Sequence, residues 1–132
     1  MTTELYWLTL TVLMTALFWV PYVLNRMVVN GLGGALAGVP PAGDGHSTWA
    51  QQAIKAHYNA VENLAVFAPI VLVAHLLGIT TPATKAAVVV YFFARLLHYV
   101  VYSAGIPAAR TLAFTAGWLA QLAIIASILR WI

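Results

Sequence analysis

Four apolar segments, each long enough to cross a lipid bilayer, constrain this chain more than any other feature of its sequence. A membrane-spanning helix needs about 20 mostly apolar residues. The chain has 132 residues, and its apolar segments predict helices at about 5–26, 48–78, 82–104 and 107–132. They leave room for one sizeable loop and two tight turns. The sequence therefore predicts an all-α integral membrane protein, with a single four-helix transmembrane domain over residues 1–132.

The composition excludes several other classes of protein. Hydrophobic residues make up 63% of the chain and charged residues 7%, whereas soluble domains are roughly 45–50% apolar and about 25% charged. The absence of cysteine excludes a disulfide framework, a thiolate metal site and a cysteine nucleophile. The net charge of +3 is spread along the chain, which argues against a nucleic-acid partner.

The first predicted helix is a retained membrane span and not a cleaved signal peptide. It lacks the basic N-terminal segment of a signal peptide, and its apolar run is as long as a full membrane span, so we expect the helix to remain in the protein. After it, the glycines and prolines of residues 30–47 predict a flexible loop without the motif of a phosphate-binding loop. The balance of basic residues predicts that this loop and the turn between helices 3 and 4 are cytoplasmic.

Polar side chains inside the second and third helices form two stripes at helical spacing. Because residues three and four positions apart share a helix face, each set lies on one side of its helix. Charged residues within a membrane span are costly and are therefore candidates for function. The stripe of helix 2 consists of Gln51, Lys55, Asn59 and Glu62, and that of helix 3 of Tyr91, Arg95, His98 and Tyr102.

Both stripes approach the same side of the membrane because the two helices run antiparallel. Arg26 at the end of helix 1 and Arg110 at the start of helix 4 lie on that side as well. The excess of Lys and Arg suits an anionic ligand, and Glu62 suits an ammonium group. The surrounding apolar helices suit a second, lipophilic ligand. The set as a whole predicts a site for a zwitterionic small molecule with several carboxylates.

Structural roles also account for individual members of the set. Glu62 and Arg95 could form an ion pair inside the membrane, and Asn59 could join helices by hydrogen bonds. Lys55 and Arg110 could anchor the chain at the membrane surface. A metal site is unsupported, since no pair of histidines has ligand spacing: His46, His57, His75 and His98.

The motifs on helices 2 and 3 resemble those of the MAPEG superfamily, the membrane-associated proteins in eicosanoid and glutathione metabolism. KAHYNAVENLAVFAPIVLVAH, from Lys55 to His75, is similar to the basic-xxx-Asn-xx-Glu signature of this family. RLLHYVVYSAGIPAAR, from Arg95 to Arg110, is similar to its Arg-xx-His/Tyr-xxx-Tyr pattern with a following arginine. The segment WVPYVLNRMVVNGL resembles bacterial members, so we expect the protein in a bacterial inner membrane.

The resemblance implies a four-helix bundle that assembles as a homotrimer and acts as a glutathione transferase or peroxidase on lipophilic electrophiles. Glutathione would be the co-substrate and would lie between protomers near the cytoplasmic face, without a metal. Arg110 would stabilise its thiolate, with Tyr102 beside it. The residues that would bind the peptide are Arg26, Lys55, Asn59, Glu62, Arg95, His98 and Tyr102.

Three positions depart from the pattern of many family members. Lys55 stands where many have arginine, which removes bidentate binding of a carboxylate, and Asn63 and Phe114 stand where some have tyrosine. The family also has bacterial branches of unassigned function. A non-catalytic trimer held together by the polar stripes is therefore the alternative function. A small carrier is less well supported, because the sequence lacks broken helices and inverted repeats.

Overall fold

The structure, a computed structural model, describes residues 1–36 and 47–132, and these residues form an all-α fold. Of the loop predicted at 30–47, residues 30–36 belong to a helix, and residues 37–46, which include His46, lie outside the described residues. The helices are α1 (Thr3–Leu17), α2 (Trp19–Leu36), α3 (Thr48–Leu76), α4 (Pro82–Ser103) and α5 (Pro107–Ile128). Four segments are long and apolar enough to cross a membrane: Thr3–Leu36, which contains α1 and α2, and the three helices that follow.

The first of these segments is interrupted at Phe18, between α1 and α2. Pro21 has no amide hydrogen and cannot donate to the carbonyl one turn earlier, which weakens the helix here. The hydroxyl of Tyr99 on α4 donates to the carbonyl of Phe18 at 2.8 Å. The interruption is therefore tied to the core of the bundle. A second irregularity occurs at Gly31, where φ is +71°.

Short turns at both ends of α4 make its sequence neighbours antiparallel to it. Gly78 and Gly105 have φ values of +67° and +74°, the left-handed conformation that ends many helices. The Ile79 amide then donates to the carbonyl of Ala74 at 2.8 Å, and the Ile106 amide donates to the carbonyl of Val101 at 3.0 Å. Thr81, directly before Pro82, and Thr84 in the first turn form a capping box at the start of α4.

Helices α3 and α4 form the centre of the bundle: α4 packs against α1, α3 and α5, and α3 packs against all four other helices. The buried side chains form two clusters, one near the chain termini and one near the predicted loop side. The Phe67 and Tyr91 rings stack at 3.7 Å in the first cluster, and the Phe18 and Tyr99 rings stack at 4.0 Å in the second. The second cluster includes three alanines on one face of α3: Ala53, Ala56 and Ala60.

Large apolar side chains cover the outside of the helices, among them Leu13, Val66, Phe93 and Trp118. So much exposed apolar surface would cause a soluble monomer to aggregate. Lipid tails provide a suitable surrounding for it, and the backbone groups of the spans are satisfied within the helices. The chain is an integral membrane protein built from four apolar helical spans.

Candidate functional site

A buried arginine marks the polar centre of the bundle. Arg95 on α4 is 2% exposed. Its Nη2 donates to Oδ1 of Asn59 on α3 at 2.6 Å and lies 3.5 Å from Nδ1 of His98. Its Nε is buried without a hydrogen-bond partner. Among the described residues the guanidinium contacts an amide and an imidazole, and no ion pair with Glu62 is formed.

A glycine in α5 makes room for this arginine. A Cβ atom placed on Gly117 would lie 3.5 Å from Cδ of Arg95, 3.7 Å from Cβ of Ala94 and 3.8 Å from the Tyr91 ring. The side chain of Arg95 therefore lies against the backbone of α5. An alanine Cβ fits at these distances, whereas a side chain longer than that of alanine would displace Arg95.

Amide side chains extend the polar centre across three helices. Nδ2 of Asn63 donates to the carbonyl of Asn59 at 2.9 Å and lies 3.3 Å from its Oδ1. Nε2 of Gln121 on α5 donates to the carbonyl of Asn63 at 3.1 Å. Asn59 therefore accepts hydrogen bonds from Arg95 on α4 and from Asn63 on its own helix. Together with the Gln121 bond, these contacts connect α3, α4 and α5 between the two apolar clusters.

A cleft of about 260 Å³ lies beside this network. It is lined by Asn59, His98, Tyr102, Arg110, Thr111 and Phe114. Cζ of Arg110 lies 4.5 Å from the centre of the Tyr102 ring, a cation–π contact. The His98 ring is 5.5 Å from that of Tyr102 and 6.3 Å from that of Phe114.

The charged side chains at this cleft are arginines, so its charge is positive. Arg110 lines it, and Arg95 contacts two of its lining residues, Asn59 and His98. No carboxylate of the described residues lines it. Removing an ion from water is costly unless the ion is paired. An anionic group that enters the cleft would supply the missing counter-charge.

The structure brings five of the predicted site residues together and leaves three apart. The five are Asn59, Arg95, His98, Tyr102 and Arg110. Lys55 and Glu62 are exposed on α3. Arg26 on α2 is half-buried, and its Nε and Nη2 are buried without hydrogen-bond partners. None of these three lines the cleft of this protomer.

Sequence reasoning left three residues that shape the polar centre out of the predicted site, although it named Asn63 as a departure from the family pattern. Gln121 and Asn63 are amides inside apolar spans, and that property alone could have singled them out. Gly117 is a glycine inside a helix, where glycine has a low propensity and therefore needs another reason, here the close approach of Arg95. Thr111, which lines the cleft, gives no comparable signal in the sequence.

The described residues contain no group of three or more His, Cys, Asp or Glu side chains arranged to hold a metal ion. The polar groups of the cleft are guanidinium, imidazole, amide and hydroxyl. Such a set binds anions by charge and hydrogen bonds.

The fold and the cleft define an integral membrane protein of four helical spans with a cationic cleft between its helices. The model of the MAPEG family matches residues 5–130, nearly the whole chain, and the chain belongs to this family. It is therefore a membrane protein of a family related to glutathione and eicosanoid metabolism. Neither the comparison with curated proteins nor that with solved structures gives a match.

Proposed function

We propose that this protein is a membrane-bound, glutathione-dependent transferase or peroxidase that acts on lipophilic electrophiles. The observation that carries the proposal is the cleft lined by Arg110, next to Arg95, with no carboxylate of the described chain in its lining. A cationic site of this kind selects an anionic ligand. Family membership favours glutathione among such ligands.

The chemistry of glutathione fits the polar groups of the chain. Its two carboxylates would pair with guanidinium groups, and the unpartnered nitrogens of Arg95 and Arg26 are available for them. Asn59 and His98 would supply further polar contacts. Its ammonium group would pair with Glu62, which is exposed and has no partner among the described residues of its own protomer.

The outward position of Glu62 and Lys55 supports a site that two protomers share. Charged groups in a membrane span rarely face lipid. In a homotrimer, a neighbouring protomer would cover both residues and place them against a ligand held by the cleft. The homotrimer is thus part of the proposal, because one chain alone leaves the site incomplete.

Arg110 would stabilise the glutathione thiolate, since a cation beside a thiol favours its ionised form. Tyr102 would hold the guanidinium in place through its ring and offer a hydroxyl to the sulfur. In the transferase reaction the thiolate forms a C–S bond, and the leaving group departs with its electron pair. In the peroxidase reaction two glutathione molecules are oxidised to the disulfide, while the hydroperoxide becomes an alcohol and water.

The proposed location provides both substrates. With the α2–α3 loop and the α4–α5 turn in the cytoplasm, and the protein in a bacterial inner membrane, the cleft end of the bundle would meet water-soluble glutathione. Lipophilic electrophiles would arrive through the bilayer. The apolar side chains around the bundle allow such contact.

Turnover in detergent or nanodiscs tests this function. The purified protein is given glutathione and either a chloronitrobenzene or a lipid hydroperoxide, and glutathione binding is measured by calorimetry. We expect thiol-dependent turnover of at least one substrate and saturable binding. Absence of both turnover and binding in the folded protein would refute the proposal.

The alternative is a non-catalytic trimeric membrane protein whose polar residues are structural. The hydrogen bonds that connect Arg95, Asn59, Asn63 and Gln121 favour it, because they join three helices within one protomer. This alternative predicts that Glu62→Gln and Arg95→Leu destroy the trimer in a protein that never binds glutathione. The proposed enzyme instead loses ligand binding with Glu62→Gln while it remains assembled.

A further inference from the structure

A second polar site lies at the opposite end of the bundle, near the N-terminus. Glu4 on α1 is 3% exposed. Its Oε1 accepts hydrogen bonds from the hydroxyl of Thr84 at 2.6 Å and that of Thr80 at 2.8 Å. Its Oε2 is buried without any hydrogen-bond partner. One oxygen of this carboxylate is therefore left for a hydrogen-bond donor that the described chain does not supply.

A cleft of about 160 Å³ adjoins this carboxylate. It is lined by Thr2, Glu4, His75, Gly78, Ile79 and Thr80. Helix α3 ends in this region at Leu76, while α1 and α4 begin here, so helix ends of both signs face it. The carboxylate and the imidazole together favour a positively charged hydrogen-bond donor. The terminal torsion of a glutamate is soft, and a turn that brings Oε2 to the cleft would exchange the hydrogen bonds that Oε1 accepts from Thr84 and Thr80.

We propose that this cleft binds the primary ammonium group of an aminophospholipid, such as phosphatidylethanolamine. The site lies at one end of the bundle, and Leu76 and Leu77 are exposed beside it. These leucines provide an apolar surface for acyl chains, while the ammonium would contact Glu4 and His75. The proposal concerns a site separate from the Arg110 cleft and does not depend on the proposed enzyme activity.

A neighbouring cation supports a zwitterionic headgroup rather than a free amine. Lys85 follows Thr84, a hydrogen-bond partner of Glu4, at the start of α4 and is exposed. Its ammonium would donate to the lipid phosphate, while the Glu4 carboxylate accepts from the lipid ammonium. A metal ion fits less well, because the described residues of this region supply one carboxylate and no cluster of metal ligands.

Native mass spectrometry of the delipidated protein tests the site. The probes are phosphatidylethanolamine and phosphatidylcholine with identical acyl chains, since the choline headgroup has no N–H donor. We expect phosphatidylethanolamine to be retained about tenfold better, the factor that one charge-assisted hydrogen bond supplies. Glu4→Gln should abolish this preference. Equal retention of both lipids by the parent protein would overturn the proposal.

Two further variants and one competition experiment serve as controls for this lipid preference. His75→Leu leaves the hydrogen bonds of Glu4 intact and should reduce the preference even if Glu4→Gln does not fold; an unchanged preference in His75→Leu would count against the site. Glu62→Gln, a matched charge change on α3, should retain the preference, and its loss there would contradict the assignment. Free ethanolamine should not displace the lipid at equal concentration, and displacement would overturn the lipid as ligand.

Discussion

Two arginines near the same cleft are held in different ways, which suits them to different tasks. Arg95 is fully buried and fixed by Asn59 and by the close backbone at Gly117. Arg110 is half-buried and rests on the face of the Tyr102 ring. A guanidinium held by a ring keeps its N–H donors free for a ligand. Arg110 is therefore the better candidate for contact with a reacting sulfur.

Replacing Arg110 tests this role. We expect Arg110→Ala to lower thiol-dependent kcat about 10²- to 10³-fold, as removal of a preorganised donor does in other enzymes. Helix content and assembly should be unchanged, because Arg110 is half-buried and its described contact is with Tyr102. Steady-state kinetics and size-exclusion chromatography measure the two effects.

Arg110→Lys is the matched control. Lysine retains the charge but has no planar group to stack on Tyr102 and no fork of donors. We expect its activity to lie between those of the parent protein and Arg110→Ala. Equal rates for all three proteins would show that position 110 plays no part in thiolate stabilisation.

At the scale of the helix, α4 could be interpreted from its sequence and α3 only in part. The α4 stripe faces inward as its spacing indicates, and Tyr91, Arg95 and His98 are buried. On α3 the alanine face is buried instead, because small residues allow helices to approach closely. Asn59 lies at the edge of that face, whereas Lys55 and Glu62 remain outside. A polar stripe marks a face, but its partner helices decide whether that face is buried.

The hydrogen bond between Asn59 and Arg95 should couple α3 to α4. Asn59→Leu removes an acceptor from a buried cation and should destabilise the protein strongly. In the double variant with Arg95→Leu the cation is gone, so the loss should be smaller than the sum of the single losses. We expect a coupling free energy of about 0.5–3 kcal/mol. Unfolding in detergent measures it, and additive effects would show that the bond contributes nothing specific.

Gly117 offers a graded test of the packing between α4 and α5. A Cβ atom fits at 3.5 Å from Arg95, so Gly117→Ala should be stabilising by about 0.5–1 kcal/mol through helix propensity. Gly117→Leu would overfill the site and should cost about 1–3 kcal/mol. Thermal unfolding in detergent distinguishes the two. Similar destabilisation by both substitutions would contradict the observed packing.

At the scale of the whole molecule, the sequence indicates the membrane spans, the turns at Gly78 and Gly105, and the family. The hydropathy of a segment predicts a membrane span, and a glycine after a helix predicts a turn, because both depend only on residues close together in the sequence. The polar network through Gln121 and the space at Gly117 depend on how α5 meets α3 and α4, which no local pattern encodes. One protomer also leaves Glu62 and Lys55 without a described partner, which connects the completeness of the site to assembly.

Glu62 therefore gives the sharpest test of the shared site. We expect Glu62→Gln to weaken glutathione binding about tenfold or more, because it removes one charge-assisted contact to the ammonium group. The trimer should persist in native mass spectrometry, because in the proposed site Glu62 pairs with the ligand and not with a residue of the neighbouring protomer. Lys85→Gln, a charge change at the other end of the bundle, should leave glutathione affinity unchanged. Loss of the trimer in Glu62→Gln with no glutathione binding by the parent protein would instead assign the stripe a structural role.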